Sequence, residues 1–218
     1  MDLNLNPNRQ RLNLPQPSSP TPKLEESHAP KAKPSVQSAK PACVYIPSPN
    51  YGERPGGPKD IDTIVLHHTG TKNSAQDVAA GFQNPRAEVS AHYTIGKDGT
   101  IVQSVTDDKK AWHAGPSVFK GRERVNDFSL GIEIVNLGDN QDPYPDAQYE
   151  ALIDLVTWMC KTYDVPLDRI TGHRDVIVPK GLKVDPSDNF DWDRVRQGVE
   201  SRLYPKSPSF WQKLKGVD

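Results

Sequence analysis

Two imidazole-bearing segments and one carboxylate stand out in this 218-residue chain as groups able to do chemistry. His67-His68-Thr69 lies upstream, Ile170-Thr171-Gly172-His173-Arg174-Asp175 downstream, and Lys183-Val184-Asp185-Pro186 follows shortly after. Two imidazoles, a carboxylate and a lysine are what a hydrolytic zinc site needs. Zinc accepts nitrogen and oxygen ligands at about 2.0–2.2 Å, and a catalytic site keeps three protein ligands plus a water whose pKa falls to roughly 7. His67, His173 and Asp185 could be that set.

These side chains need elements to hold them. A strand is expected over Ile61–His68, carrying Ile64, Val65 and Leu66. Its alternation puts Val65 with His67 on one face and Ile64 and Leu66 with His68 on the other, which leaves the choice between the two histidines open. A second strand, Leu130–Leu137, sets Leu130, Ile132 and Ile134 on one face, so Glu133 lies opposite the most apolar stripe. Between them, Ser74 with Asp77 three residues on approaches a capping box for a short helix that ends before Pro85. Ala91–Ile95 and Ile101–Val105 flank an Asp-Gly turn and read as a hairpin. From Asp146, residues Ala151, Leu152, Leu155, Val156, Met159 and Cys160 recur at helical spacing, with Pro166 just beyond, and Met159 and Cys160 are assigned to the core. A last helix spans about Trp192–Leu203, with Asp191 as cap and Val195 and Val199 on one stripe. Strands interspersed with helices imply an α/β class, with a central mixed β-sheet flanked by helices.

Composition limits the remaining possibilities. The longest apolar runs are a few residues, far short of the roughly 20 that span a bilayer. A net charge of −1 supplies no general drive toward nucleic acid. Two cysteines do not indicate a disulfide framework. Residues 1–42 hold eight prolines, six Lys/Arg and three Asp/Glu with little that could form a core, so they are expected to be a disordered tail. The start, Met1-Asp2-Leu3-Asn4-Leu5-Asn6, has neither a basic start nor the apolar stretch of a secretory signal, so cleaved export by the general route is not expected. Cys43 has no apolar run before it, so a lipoprotein anchor is not expected either. The organisation read from sequence is therefore a tail over 1–42, a catalytic domain over 43–205 and a short extension over 206–218.

Four further segments accompany the candidate ligands: Val89-Ser90-Ala91-His92-Tyr93, Lys97-Asp98-Gly99-Thr100, Ala111-Trp112-His113-Ala114-Gly115 and Ser129-Leu130-Gly131-Ile132-Glu133-Ile134. In this order they resemble the zinc-dependent N-acetylmuramoyl-L-alanine amidases of the second amidase family, which share a fold with peptidoglycan-recognition proteins and amidase-type phage lysozymes. The resemblance covers about residues 58–205 and takes in five of the six histidines. It implies a peptidoglycan-recognition-protein-like fold and one Zn2+ per chain on His67, His173 and Asp185, choosing His67 over His68. It also implies Glu133 as catalytic acid/base and Lys183 as oxyanion stabiliser, with Lys180 in the same loop as a competitor. Trp112, His113 and Ala114 would line the substrate groove, with Asn136 a further candidate. His92 would be structural or groove-side, and His68 would support the ligands from behind.

The activity implied is cleavage of the amide between N-acetylmuramic acid and the L-alanine of the stem peptide, so the partners are peptidoglycan or muropeptides. A non-catalytic recognition module is the alternative, although such members typically lack a metal ligand and all three candidates are present here. A zinc peptidase would need a His-Glu-x-x-His helix, which the chain lacks. Three settings remain open: recycling of muropeptides in the cytoplasm, a phage lysin, or an effector exported by a specialised machine. In the last two the protein would act on cell-wall peptidoglycan after release or non-classical export. The tail over 1–42 is then either a linker or an address for an export or virion partner.

Overall fold

The computed structural model describes residues 39–205. The expected tail up to residue 38 and the extension over 206–218 lie outside the described residues. Lys40, placed in the tail by sequence, already touches the domain. Its ammonium donates to Gln103 Oε1 at 2.9 Å and lies 5.0 Å from the ring centroids of both Tyr93 and Trp158.

In chain order the elements are β1 (Val44–Tyr45), β2 (Tyr51–Glu53), β3 (Thr63–His68), α1 (Ala75–Gly81), β4 (Tyr93–Ile95), β5 (Ile101–Gln103) and β6 (Lys109–Ala111). They continue with β7 (Val118–Phe119), β8 (Arg122–Glu123), β9 (Ser129–Ile134), α2 (Asp146–Tyr163), β10 (Ile170–Gly172), α3 (His173–Val176) and α4 (Trp192–Leu203). The main sheet has six strands in the order β1-β5-β4-β9-β3-β10. The β4–β5 hairpin is antiparallel and every other pairing is parallel, so the sheet is mixed as expected.

Side-chain alternation divides the core. Ile64 and Leu66 of β3 join Leu130, Ile132 and Ile134 of β9 on one face, where Leu152, Leu155, Val156 and Met159 of α2 and Val195 and Val199 of α4 cover them. Burying each such side chain contributes roughly 1.5–3 kcal/mol. On the opposite face Val65 packs with Ala114, Val125, Phe128 and Val176. Beside that group, Ala75 and Ala79 of α1 pack on Val102. This second face is covered largely by irregular chain, and the site is built there.

Capping behaves as the residue types dictate. The Ser74 hydroxyl accepts from Asp77 N and the Asp77 carboxylate accepts from Ser74 N, completing the capping box of α1. Asp191 accepts from Arg194 N at the start of α4. The expected strand over 130–137 stops at Ile134, and Asn136 turns its amide group to the loop that follows. Among the described residues no helix is long and apolar enough to cross a membrane.

Helices α2 and α4 approach closely at Gly198, where a Cβ would lie 2.6 Å from Ile153 Cδ1 and 3.0 Å from its Cγ2. Gly198→Ala gains about 1 kcal/mol of helix propensity, against roughly 1–3 kcal/mol for overpacking a filled interface. The expected outcome is a lower urea midpoint at unchanged slope. A raised midpoint would show that Ile153 yields without cost.

Candidate active site

Three adjacent parallel strands and the loop after α3 position the candidate site. His67 lies one residue from the end of β3 and pairs in register with Glu133 at the same place on β9. β10 pairs with β3 on the other side through Gly172↔Leu66, and His173 opens α3 immediately afterwards. Asp185 comes from the loop after α3. Arg174 clamps that loop: its backbone N donates to Asp185 O at 3.0 Å, and its guanidinium donates to the carbonyls of Val184 and Pro186 and to Asp188 Oδ1.

His67 Nδ1 lies 3.2 Å and His173 Nδ1 3.1 Å from Asp185 Oδ2, and all three residues are buried. A tetrahedral ion with ligand bonds of about 2.0–2.1 Å has ligand–ligand edges of about 3.3 Å. The spacing therefore fits a metal, and the three ligand atoms lie within 4.8 Å of one another. Burial pushes the His67 imidazole down to about 4 despite the opposing pull of Asp185. Burial raises the Asp185 carboxyl, but hydrogen bonding to His173 and His67 outweighs it and holds the group well below the usual carboxylate range. An ionised carboxylate beside a neutral imidazole is the state a cation requires of its ligands.

The cluster faces a cleft of about 360 Å³ that Glu133, Lys183, His68 and His113 also line, with Val89, Leu182 and Val184 as apolar walls. Glu133 Oε2 is buried without a hydrogen-bond partner among the described residues. Burial first, and the charge of Asp185 second, push the Glu133 carboxyl up to about 8, while Lys183 pulls it back. Lys183 itself is exposed. Lys180 donates to the Asp175 carbonyl, so it is committed elsewhere. A larger hollow between α2 and α4 has no metal-ligand cluster among the described residues, and its Arg202 and Glu150 are paired at 2.6 Å.

A profile of the N-acetylmuramoyl-L-alanine amidase family matches residues 57–188. The chain belongs to this family. It is 38% identical over 175 residues to the 1,6-anhydro-N-acetylmuramyl-L-alanine amidase AmpD of Haemophilus influenzae, a match covering 72% of this chain and 92% of that protein. To the enzyme of that name from Enterobacter cloacae it is 47% identical over 166 residues, covering 69% and 86%. The crystal structure of a Se-Met AmpD derivative superposes with a TM-score of 0.60 at 35% identity, covering 75% of this chain and 97% of that one.

Within this amidase the other sequence-based expectations fare differently. His113, expected in the substrate groove, is buried, with Nδ1 3.0 Å from His67 Nε2 and Nε2 3.1 Å from Ser129 Oγ. Both ring nitrogens are thus occupied by protein, although the ring edge reaches the cleft. Ala114 is fully buried against Val65 and Phe128, so its methyl cannot meet a ligand. Asn136 is also fully buried, donating to Asp142 O and accepting from Gly138 N, and it holds a loop instead of lining the groove. Trp112 is half-buried near Gly52 and is not among the residues lining the cleft. His68 lines the cleft beside Gly138, and its Nδ1 is buried without a hydrogen-bond partner among the described residues, so no hydrogen bond from that nitrogen supports the ligands. His92 is structural: Nδ1 accepts from Gly131 N at 2.9 Å and Nε2 donates to Lys109 O at 3.1 Å.

Two polar residues were given no role from sequence. Arg54 is buried and donates to the carbonyls of Asn126, Asp127, Lys109 and Ser129, tying the irregular cover to β9. Ser129 lies on the same strand face as Glu133, two pleats earlier. A hydroxyl on that stripe was the available signal. Nothing in the sequence marks Arg54.

Burial first, and Arg54 second, push the His92 imidazole down to about 3. Its folded pKa lies below the unfolded value of about 6.5, so its contribution is fully present above pH 6.5 and is lost as pH falls toward 3. The expected slope from His92 is about 1.4 kcal/mol per pH unit across that window. His92→Gln should be less stable at pH 7 yet lose stability more slowly between pH 6 and 4. Equal acid slopes in urea titrations would mean that His92 is not held neutral.

Proposed function

We propose that the protein hydrolyses the amide between N-acetylmuramic acid and the L-alanine of the stem peptide, using zinc held by His67, His173 and Asp185. One observation carries the reading: three metal-type donors at ligand spacing share a cleft with Glu133, whose Oε2 is buried without a hydrogen-bond partner among the described residues, and with the exposed ammonium of Lys183. The donor set suits zinc, since two imidazoles and one carboxylate match catalytic three-ligand sites with an open fourth position. When bound, zinc supplies the Lewis acidity that makes water nucleophilic near neutral pH and polarises the scissile carbonyl.

The chain's own groups supply the rest. Glu133 Oε2 has no hydrogen-bond partner among the described residues, so it is available to take a proton from the attacking water and return it to the leaving nitrogen. Its raised pKa brings that exchange close to neutrality. Lys183 Nζ offsets negative charge developing on the carbonyl oxygen. Val89, Leu182 and Val184 give the cleft exposed apolar surface that a bound ligand would cover. A non-catalytic recognition module would have no use for an unpaired Glu133 beside three intact ligands. The names of the relatives, which match over most of their length, favour a soluble 1,6-anhydro-muropeptide as substrate.

Purified protein should carry about one zinc per chain, and a strong chelator should abolish turnover. Activity that survives complete metal removal would overturn the mechanism. Glu133→Gln keeps the shape but loses the proton acceptor, so zinc content should persist while the single-turnover rate falls about 10²–10⁴-fold. A near-normal rate would move the base elsewhere. Mass spectrometry of products should show free stem peptide released from a 1,6-anhydro-muropeptide faster than from intact sacculi. The reverse order would make the intact wall the substrate.

A further inference from the structure

We propose that Ser129 and His113 are positioning residues that lock His67 in the tautomer whose Nδ1 is free to bind metal; this rests on the metal reading above. The hydrogens can be assigned along one buried chain of contacts. Ser129 Oγ lies 2.7 Å from the Val125 carbonyl oxygen. A carbonyl only accepts, so the single hydroxyl hydrogen of Ser129 is spent there. The contact between Ser129 Oγ and His113 Nε2, at 3.1 Å, must then be donated by the ring, which puts the His113 proton on Nε2. With that nitrogen protonated, Nδ1 of a neutral His113 is an acceptor. At 3.0 Å it faces His67 Nε2, which therefore carries the His67 proton. The remaining nitrogen of His67, Nδ1, presents a lone pair at the side where Asp185 Oδ2 and His173 Nδ1 converge.

The surroundings hold this relay rigidly. Asn126 Oδ1 accepts from the backbone N of both His113 and Ala114, fixing where the ring starts. The ring lies flat over β9 at Gly131, where a Cβ would come within 2.4 Å of its Cγ. Ser129, Gly131 and Glu133 share one strand face, so a single stripe of β9 carries the hydroxyl, the space for the ring and the proposed base. Partners of this kind orient a metal-bound histidine and raise its basicity, and their loss typically costs about 10–100-fold in metal affinity.

The test uses the zinc-loaded full chain as wild type, Ser129→Ala, His113→Ala and His113→Asn. Zinc affinity is read by competition with a chromophoric chelator, and ring tautomers by nitrogen-15 NMR of the histidines. The wild type should show His113 protonated on Nε2 and His67 on Nε2. His113→Ala should bind zinc about 10–100-fold more weakly, whereas His113→Asn, whose Oδ1 can accept from His67 Nε2, should recover most of that loss. Ser129→Ala should release the tautomer preference of His113 and weaken zinc binding. A wild-type His113 protonated on Nδ1, or a His113→Ala with wild-type zinc affinity, would overturn the relay while leaving the metal site standing. A wild type that takes up no zinc would overturn the metal reading and the relay with it. If His113→Ala does not fold, the wild-type tautomers and Ser129→Ala decide.

Discussion

Two imidazole nitrogens, each about 3 Å from one buried carboxylate oxygen and all three within 4.8 Å of one another, repel through their lone pairs unless a cation or a proton sits between them. Burial opposes the proton on His67, which leaves the cation as the stabilising partner. Most of the second face of the sheet can be understood as the means of enforcing that convergence. The Arg174 clamp keeps the Asp185 loop against α3, and His113 fills the space behind His67. A pocket assembled by flexible side chains would relax outward. This one is assembled by strand ends and by a loop tied to α3 through Arg174, which resist that relaxation.

The topology supplies the ends. Parallel neighbours β9, β3 and β10 open their carboxyl termini on the same edge, the usual place for a ligand crevice in an open α/β sheet. Helices α2 and α4 close one face with apolar side chains, so the functional residues of β3 and β9 all point to the other. Pairing is thereby tightly specified. A one-residue slip of β3 would exchange His67 for His68 and turn Ile64 and Leu66 out of the core, so the energy that fixes register also selects the ligand.

Glu133 shows how the same architecture tunes a proton acceptor. It sits on the site face of an otherwise apolar strand, near one negative and one positive group that act on it in opposite directions. Asp185 and burial favour its neutral form, and Lys183 favours the charged one. A bound cation would add to the pull of Lys183. The carboxyl is therefore balanced close to neutrality instead of being fixed in either state, as general acid–base work demands.

Much of this could be read from the chain before any coordinates. Apolar periodicity located β3, β9, α2 and α4, and turn and cap chemistry located the β4–β5 hairpin and α1, because those signals are local and each is carried by a few neighbouring residues. The candidate ligands and Glu133 were legible through motif context. The short strands β1, β2, β6, β7, β8 and β10 were not, since two or three residues carry no period. Nor were the buried contacts of His113, Ala114 and Asn136, which sequence assigned to the substrate. Whether a side chain meets ligand, metal partner or core depends on which distant segment lies across from it, and that is set by packing. His113 is the clearest case: its type and motif were evident in the sequence, but only the folded chain brings Ser129 to one ring nitrogen and His67 to the other.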